Sequence, residues 1–454
     1  MPPLPTVDYA PFELLIAELN GSGYPVTVIE SPAGEGKALC KLDPDDLQDA
    51  LLGLAERETD RDFLAELGDF LFDALFTGEV LELYRSSLSM VRDRGHNLRV
   101  RLRMDAPELA ALPWEVLHDA ADDAFLATQA ETALVRYVPL RIPARPTEVV
   151  LPLRLLVIIS NPTDVAPLDV EKEQAIIGDA LAEAAGQGHM ELEILTLATV
   201  EGISQALRRF QPHIVHFIGH GIFDQGQASL VLVDEGNRAV LVDERQVREL
   251  FTGQKETRLV VLNACQTATL SATQPLAGMA PRLLQRQLSG VVAMQYPLTD
   301  KAALIFSREF YRSLALGYPV DAAISEARKG LWLADAGSSD WNAPVLHLRA
   351  KDGVLFTLAA PQAAAPVVTI LPPPRPIPVP VMPTFTGREA ELAAYAQRLQ
   401  SEGLVVVAGM PGVGKSAFAA KLAERLVAGL SADQIMHLAT ASDCLLYTSP
   451  SPRD

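Results

Sequence analysis

Beyond residue 150 the sequence alternates between short, largely apolar runs and longer stretches in which apolar residues recur every three or four positions. Residues 153–160 and 213–220 are apolar runs, whereas residues 171–184 and 201–210 have the helical periodicity. Apolar residues on both sides of a strand are typical of a parallel sheet that is covered on both faces, with helices as the crossover connections. The sequence therefore predicts an α/β fold in which a parallel sheet carries helices on both faces.

Changes in composition divide the chain of 454 residues into segments. Helical and strand-like patterns are mixed before residue 149, and proline then dominates a later stretch that we expect to be an extended spacer. The final residues resemble translated adapter sequence, so Cys444 is given no functional role. The predicted segments are a first α/β unit (1–148), a second α/β unit (149–358), a proline-rich linker (359–383), a truncated third unit (384–442) and an artefactual tail (443–454).

Composition narrows the class of protein. Hydrophobic residues make up 49% of the chain and charged residues 21%, which is typical of a chain that buries sizeable cores. The formal net charge of -19 disfavours binding to nucleic acid and favours cationic partners. No apolar run is long enough to span a membrane, and three widely spaced cysteines cannot form a disulfide framework. We therefore expect a cytoplasmic protein that binds neither membranes nor nucleic acid.

A histidine and a cysteine each lie at the end of a predicted strand. His220 ends the run HIVHFIGH, and Cys265 ends the run RLVVLNAC. Because the carboxyl ends of neighbouring parallel strands meet at one edge of a sheet, the imidazole is expected to activate the thiol as a nucleophile. The amides of Gly221 and Cys265 would stabilise an oxyanion. The alternative is structural: His220 caps a strand and Cys265 fills the core, as His216 on the same strand is interpreted to do.

The two strand ends belong to a wider resemblance. Together with LRVRLRMDAPELAALPWEVLHD (98–119) and FYRSLALGYPVDAAISEARKGLW (310–332), they resemble the CHAT family within the caspase, gingipain and separase group. The resemblance covers roughly residues 95–345. It implies a caspase-like parallel-sheet sandwich in the second unit, an inactive caspase-like half in the first unit that packs on it, and a cysteine endopeptidase that uses the His–Cys dyad.

Two acidic residues near the dyad are candidates for a substrate pocket. Asp300 follows the apolar run 290–298, and Asp224 lies shortly after His220. A carboxylate at such a strand end can pair with arginine or lysine, and separases have an acidic pocket residue in a similar place, which implies cleavage of a protein or peptide after a basic residue. The alternatives are that Asp300 caps the following helix, that Lys301 weakens its charge, and that Asp224 is simply solvated.

A phosphate-binding pattern occurs in the third unit. Residues 409–416 read GMPGVGKS and match G-x-x-x-x-G-K-S between a predicted strand and a predicted helix. In such a loop the backbone amides surround phosphates, the lysine reaches the terminal phosphates and the serine binds Mg²⁺. ATP or ADP with Mg²⁺ is therefore the expected ligand, whereas the dyad needs no cofactor. The residues assigned to this site are Gly409, Gly412, Gly414, Lys415 and, as the Mg²⁺ ligand, Ser416.

The segment before this loop carries a second resemblance. FTGREAEL, with Gly387 and Arg388, resembles the entry segment of the STAND group of P-loop NTPases, which includes the NACHT and NB-ARC groups. The resemblance implies that Gly387 and Arg388 lie near the base of the nucleotide and that nucleotide state controls homo-oligomerisation. Because no acidic strand end and no sensor arginine follow, ATP hydrolysis by this chain alone is not expected.

These patterns favour a CHAT-family cysteine endopeptidase that is regulated by a nucleotide-binding module, in bacterial stress or defence signalling as the resemblance implies. One alternative is a catalytically inactive CHAT adaptor in an ATP-binding signalling protein, because a fold can persist without its activity. Another is that the nucleotide-binding module is the working part and the CHAT unit is its docking domain. Substitution of Cys265 by alanine separates these cases, because only the endopeptidase requires the thiol.

Overall fold

A computed structural model of the chain describes residues 8–140, 144–224, 227–266, 275–284, 288–359, 385–402, 407 and 413–427. The proline-rich stretch from residue 360 and the predicted tail lie outside these ranges. The strands are β1 (Tyr9–Ile16), β2 (Tyr24–Glu30), β3 (Gly36–Cys40), β4 (Asn97–Met104), β5 (His118–Asp119), β6 (Ala124–Phe125), β7 (Thr132–Tyr137), β8 (Thr147–Val150), β9 (Leu153–Ile159), β10 (Met190–Leu195), β11 (Ile214–Asp224), β12 (Gln227–Val233), β13 (Ala239–Asp243), β14 (Leu259–Gln266), β15 (Gly290–Met294), β16 (Pro344–Leu348) and β17 (Phe356–Ala359). The α-helices are α1 (Gln48–Glu56), α2 (Arg61–Leu75), α3 (Glu79–Arg92), α4 (Pro107–Ala110), α5 (Val170–Gly186), α6 (Val200–Phe210), α7 (Glu244–Phe251), α8 (Pro275–Leu283), α9 (Asp300–Ala315), α10 (Val320–Ala334), α11 (Glu389–Glu402) and α12 (Lys415–Val427).

One mostly parallel sheet organises the chain up to residue 348. Among the described residues it has thirteen strands in the order β10-β9-β11-β14-β15-β16-β7-β4-β1-β2-β3, with β12 and β13 added beside β11. Along this order, each strand from β10 to β14 is parallel to the next one. Strand β16 is antiparallel to β15 but parallel to β7. The pair β16–β7 joins the first half (residues 8–140) to the second half (residues 144–359), so a single sheet crosses both.

Helices cover both faces of this sheet in the second half. On β9, Leu155 and Val157 belong to a core that includes α5, α9 and α10, whereas Leu156 and Ile158 belong to a core that includes α6, α7 and α8. Alternate residues of a strand point to opposite faces, so the apolar run of β9 supplies both cores. The predicted fold class is confirmed. Within the described ranges, no helix has the length and apolar character that crossing a bilayer requires.

Buried charged groups lie where the two halves meet. Glu115 of the first half accepts two hydrogen bonds from Arg136 of β7, at 2.6 Å and 3.1 Å, and one from Gln295, just after β15, at 3.0 Å. Arg328 of α10 lies 3.9 Å from the same carboxylate. All four side chains are buried. Because buried charges are tolerated only with partners, this cluster fixes β7, β15 and α10 relative to one another.

Helices α11 and α12 belong to a second compact unit, which begins at residue 363. The buried side chains Leu392, Phe418 and Leu422 form a core between them. Helix α12 begins at Lys415, the position predicted for the helix that follows the phosphate-binding pattern. The strand predicted before that pattern lies almost wholly outside the described residues.

Candidate active site

The two residues of the predicted dyad occupy paired positions on neighbouring strands. Strands β11 and β14 are parallel, and their register places His220 opposite Cys265 and Gly221 opposite Gln266. Both positions lie towards the carboxyl ends of their strands, at the same edge of the sheet. The side chain of Cys265 lies outside the described residues, so its contacts stay a prediction. The backbone nevertheless brings positions 220 and 265 together as expected.

His220 makes a specific contact through one ring nitrogen. Its Nε2 lies 2.8 Å from the backbone oxygen of Ala166, in the segment between β9 and α5. Because a carbonyl oxygen only accepts, Nε2 is assigned the hydrogen, and the neutral ring then has a free lone pair on Nδ1. His220 is 2% exposed, and its buried Nδ1 has no hydrogen-bond partner among the described residues. Ala166 therefore orients the imidazole and leaves its basic nitrogen available.

Close packing explains the glycine that precedes His220. A Cβ on Gly219 would lie 2.6 Å from the ring of Phe217 and 3.2 Å from Cβ of Ser160, so a larger residue would displace its neighbours. On the other side of the histidine, Gly221 continues β11 and is paired with Leu230 of β12. The assignment of the Gly221 amide, with that of Cys265, to an oxyanion stays a prediction.

The face of the sheet that holds His220 also holds α5 and α9. Residues two apart on a strand share a face, so His220 lies on the same face as His216 and Ile218. The Nδ1 atom of His216 lies 2.9 Å from the hydroxyl of Tyr311 in α9, and Ile218 belongs to the core that includes α5 and α9. Each of these helices follows a parallel strand, so their amino ends lie at the same sheet edge as the dyad.

Asp300 is the first residue of α9, and it forms an ion pair across that edge. Its carboxylate accepts a hydrogen bond from Lys172 in the first turn of α5. The side chains of Asp300 and Lys172 are 56% and 51% exposed, so the pair faces solvent. The cap of α9 is instead Thr299, whose hydroxyl accepts from the amide of Ala302 at 3.2 Å. The alternative in which Asp300 caps α9 is therefore wrong.

Further carboxylates lie beside this ion pair. Asp169 caps α5 by accepting from the amide of Lys172 at 3.1 Å, and Glu173 follows in the same turn. Burial, and secondly the charge of Asp300, raise the pKa of Glu173, which indicates a shared negative field at this edge. Asp224, the other predicted pocket residue, ends β11 opposite Gln227. Its side chain lies outside the described residues, so its role stays a prediction.

Three residues of this edge were not identified from the sequence. The contribution of Ala166 is a backbone oxygen, which leaves no trace in residue type. One sequence feature points to Lys172 and Glu173 as site residues: they are charged residues in the first turn of a helix that follows a parallel strand. That signal alone is weak, since first-turn charges usually serve the helix itself.

The predicted nucleotide site is described only in part. Gly414 has a positive φ of 86°, a conformation that favours glycine, and α12 begins at the next residue. Arg388 places its guanidinium 5.5 Å from the ring centre of Phe418, and Gly387 has a φ of 95°. The remaining loop glycines, Gly409 and Gly412, and the side chain of Ser416 lie outside the described residues. Nucleotide binding at this site stays a prediction.

Comparison with known proteins identifies the family. The model of the CHAT domain matches residues 65–351, which is most of the two halves that share the sheet. The chain belongs to the CHAT domain family, as its sequence predicts. No curated protein sequence matches the chain.

Solved structures with a similar chain path include cysteine proteases. The Arg-specific cysteine proteinase gingipain R is 10% identical over 65% of this chain and 74% of its own, with a TM-score of 0.37. Separase in the Saccharomyces cerevisiae separase–securin complex is 16% identical over 72% of this chain and 21% of its own, with a TM-score of 0.34. Caspase-1 from Spodoptera frugiperda is 12% identical over 50% and 97%, with a TM-score of 0.32. Similarities this low establish no activity for this chain.

Proposed function

We propose that this chain is a cysteine endopeptidase that uses a dyad of Cys265 and His220. One observation carries the proposal: the β11–β14 register pairs the two residues, and the buried Nδ1 of His220 has no hydrogen-bond partner among the described residues. Neighbouring strands lie about 5 Å apart, and paired residues share a face of the sheet. A thiol at position 265 is thus within reach of the ring at position 220.

The proposed reaction assigns one task to each group. Nδ1 of His220 accepts the thiol proton, and the sulfur of Cys265 attacks the scissile carbonyl carbon. The amides of Gly221 and Cys265 stabilise the oxyanion that forms. The imidazolium then gives its proton to the leaving amine as the C–N bond breaks, and water hydrolyses the resulting thioester. Throughout, the carbonyl of Ala166 keeps the ring oriented and stabilises its charged form.

The proposed substrate has a basic residue at the cleavage position. Support comes from the carboxylates of Asp169, Glu173 and Asp300 at the edge that holds the dyad. A substrate guanidinium would displace Lys172 from Asp300 and form a charge-assisted pair in its place. Asp224 is a second candidate for this contact because it continues the strand that carries His220. The negative charge of the whole chain favours the approach of such substrates.

The proposal is tested by peptide cleavage. Fluorogenic peptides that end in Arg, Lys or Asp are assayed with the wild type, Cys265→Ala and His220→Ala, with and without ATP and Mg²⁺. Cleavage after Arg or Lys should fall by at least about a thousandfold in both variants. Cys40→Ala is the matched control, because burial raises the pKa of that thiol to about 11 and keeps it unreactive. Cleavage that persists in Cys265→Ala would exclude the dyad.

A second candidate function is a CHAT adaptor without catalysis. The observation that favours it is the burial of His220, which is 2% exposed and therefore not open to a substrate in this conformation. An adaptor would bind its protein partner equally well with Cys265→Ala and would cleave no peptide under any condition. If Cys265→Ala instead still binds the partner but no longer releases it, the result would indicate the peptidase.

The nucleotide-binding module is proposed to regulate the site. The amides at Gly409, Gly412 and Gly414 would hold phosphates, Lys415 would contact the terminal phosphates, and the Ser416 hydroxyl would bind Mg²⁺. ATP or ADP binding would then control self-association of a cytoplasmic signalling protein, in stress or defence. Fluorescent ATP analogues and light scattering test this with Lys415→Ala, which should lose both binding and nucleotide-dependent association. Signalling that survives Cys265→Ala would make this module the working part.

A further inference from the structure

The connection between α1 and α2 in the first half contacts the segment that leads into α9. Helix α1 ends at Glu56, and the next residue, Arg57, has a φ of 62°, in the left-handed region that favours glycine. An arginine in this conformation costs backbone free energy, so its side chain is expected to contribute something that glycine cannot. The nearby Thr59 hydroxyl also donates to the backbone oxygen of Gly337 at 2.8 Å. The connection is thus held against the second half at two points.

Hydrogen bonds lead from Arg57 to the first turn of α9. The guanidinium donates to the backbone oxygen of Pro297 at 2.7 Å and to Oδ1 of Asp340 at 2.8 Å. Asp340 in turn accepts from the amide of Thr299 at 3.2 Å and from its hydroxyl at 2.9 Å. That hydroxyl also caps α9, because it accepts from the amide of Ala302. Together these contacts fix Pro297 and Thr299, which precede Asp300.

These contacts are stronger than an ordinary surface pair. The side chains of Arg57 and Asp340 are 30% and 11% exposed, so water screens them less than it screens the exposed pairs of this molecule. Each bond to the guanidinium or the carboxylate is charge-assisted, and the planar guanidinium fixes the angle between its two acceptors. Arg57 and Asp340 are therefore suited to holding one backbone geometry between β15 and α9.

We propose that Arg57, through Asp340 and Thr299, is a positioning residue that sets where Asp300 meets the substrate. The inference rests on the proposed function, in which Asp300 receives the basic side chain at the cleavage position. It assigns the first half a role in specificity, because that half supplies the arginine that orients a recognition element of the second half. Arg57 touches neither the substrate nor the reacting atoms.

Arg57→Gly is the informative variant. Glycine relieves the left-handed backbone while removing both hydrogen bonds of the side chain, so folding is disturbed as little as possible. The readout is the ratio of kcat/KM for an Arg-ending peptide to that for a matched Gln-ending peptide. We expect this ratio to fall by about tenfold, mainly through KM, because a misplaced Asp300 affects only the basic substrate. Asp340→Asn should lower the same ratio.

The control is Arg61→Ala, in α2. Arg61 pairs with Asp123 at 3.0 Å, and these side chains are 47% and 72% exposed, so the ratio should stay unchanged. An equal loss of cleavage for both peptides in Arg57→Gly would mean a general structural role and would overturn the proposal. If the wild type shows no Cys265-dependent cleavage, the proposed function fails separately. Amide hydrogen exchange then decides: unchanged protection of residues 298–303 in Arg57→Gly overturns the positioning role as well.

Discussion

At the scale of single residues, Lys172 partly neutralises the charge of Asp300, the carboxylate proposed to bind the substrate. The two groups pair while both are more than half exposed, so a substrate cation can exchange with Lys172 at small cost. Lys172→Gln should therefore lower KM for Arg-ending peptides by about two- to fivefold and leave kcat nearly unchanged. Steady-state kinetics at constant ionic strength measure this. Lys301→Gln removes the same charge beside Asp300, and an equal effect there would show that only net charge matters.

The residues that were predictable from sequence are those whose type carries the chemistry. His220 and Cys265 follow apolar runs, and the strand register pairs them as that pattern indicates. His216 is a buried core histidine, as its place within a strand predicts. In contrast, the role of Ala166 depends on a backbone oxygen, and the pairing of Lys172 with Asp300 joins residues 128 positions apart. No local pattern encodes such a contact.

The buried cluster around Glu115 dominates at the scale of secondary-structure elements, because it ties β7, β15 and α10 together. Glu115→Gln would leave Arg136 and Arg328 buried without a countercharge, and breaking such a pair typically costs about 3–5 kcal/mol. Urea unfolding of Glu115→Gln should show that the free energy of unfolding falls by an amount of that order. Glu131→Gln is the control, since Glu131 and its partner Arg92 are about half exposed and should contribute less than about 1 kcal/mol. An equal fall in the free energy of unfolding in both variants would contradict the stabilising role of the Glu115 cluster.

Element type was easier to predict than element pairing. Apolar runs and helical periodicity predict the parallel strands of the second half and the helices between them, because these signals are local. The pairing of β16 with β7 was not predictable, since His347 lies opposite Arg136 across more than two hundred residues of sequence. The first and second α/β units predicted from composition consequently share one sheet. Residues 1–362 form one compact unit that contains both.

Three buried histidines couple the stability of the whole molecule to pH. Burial lowers the pKa of His213 to about 4 and that of His216 to about 3, and it lowers the pKa of His347 well below its usual value of 6.5. The hydrogen bonds fit neutral rings: the amide of Arg154 donates to Nδ1 of His213 at 2.9 Å. In the folded chain these rings therefore stay neutral at pH values where the unfolded chain binds protons.

The sign of the pH dependence follows from these directions. Below about pH 6.5 the unfolded state binds protons that the folded state does not bind. The free energy of unfolding should therefore fall as pH drops from about 6.5 towards 4. Each histidine contributes a slope of up to about 1.4 kcal/mol per pH unit in this window, and the stability is fully present above it.

Urea titrations between pH 7.5 and 4.5 measure this slope of the free energy of unfolding against pH. His216→Gln should reduce it, because one titrating group is removed, whereas His96→Gln, at an exposed position, should leave it unchanged. A free energy of unfolding that stays constant across this range would mean that the folded rings take up protons as readily as the unfolded ones, contrary to the effect expected from their burial.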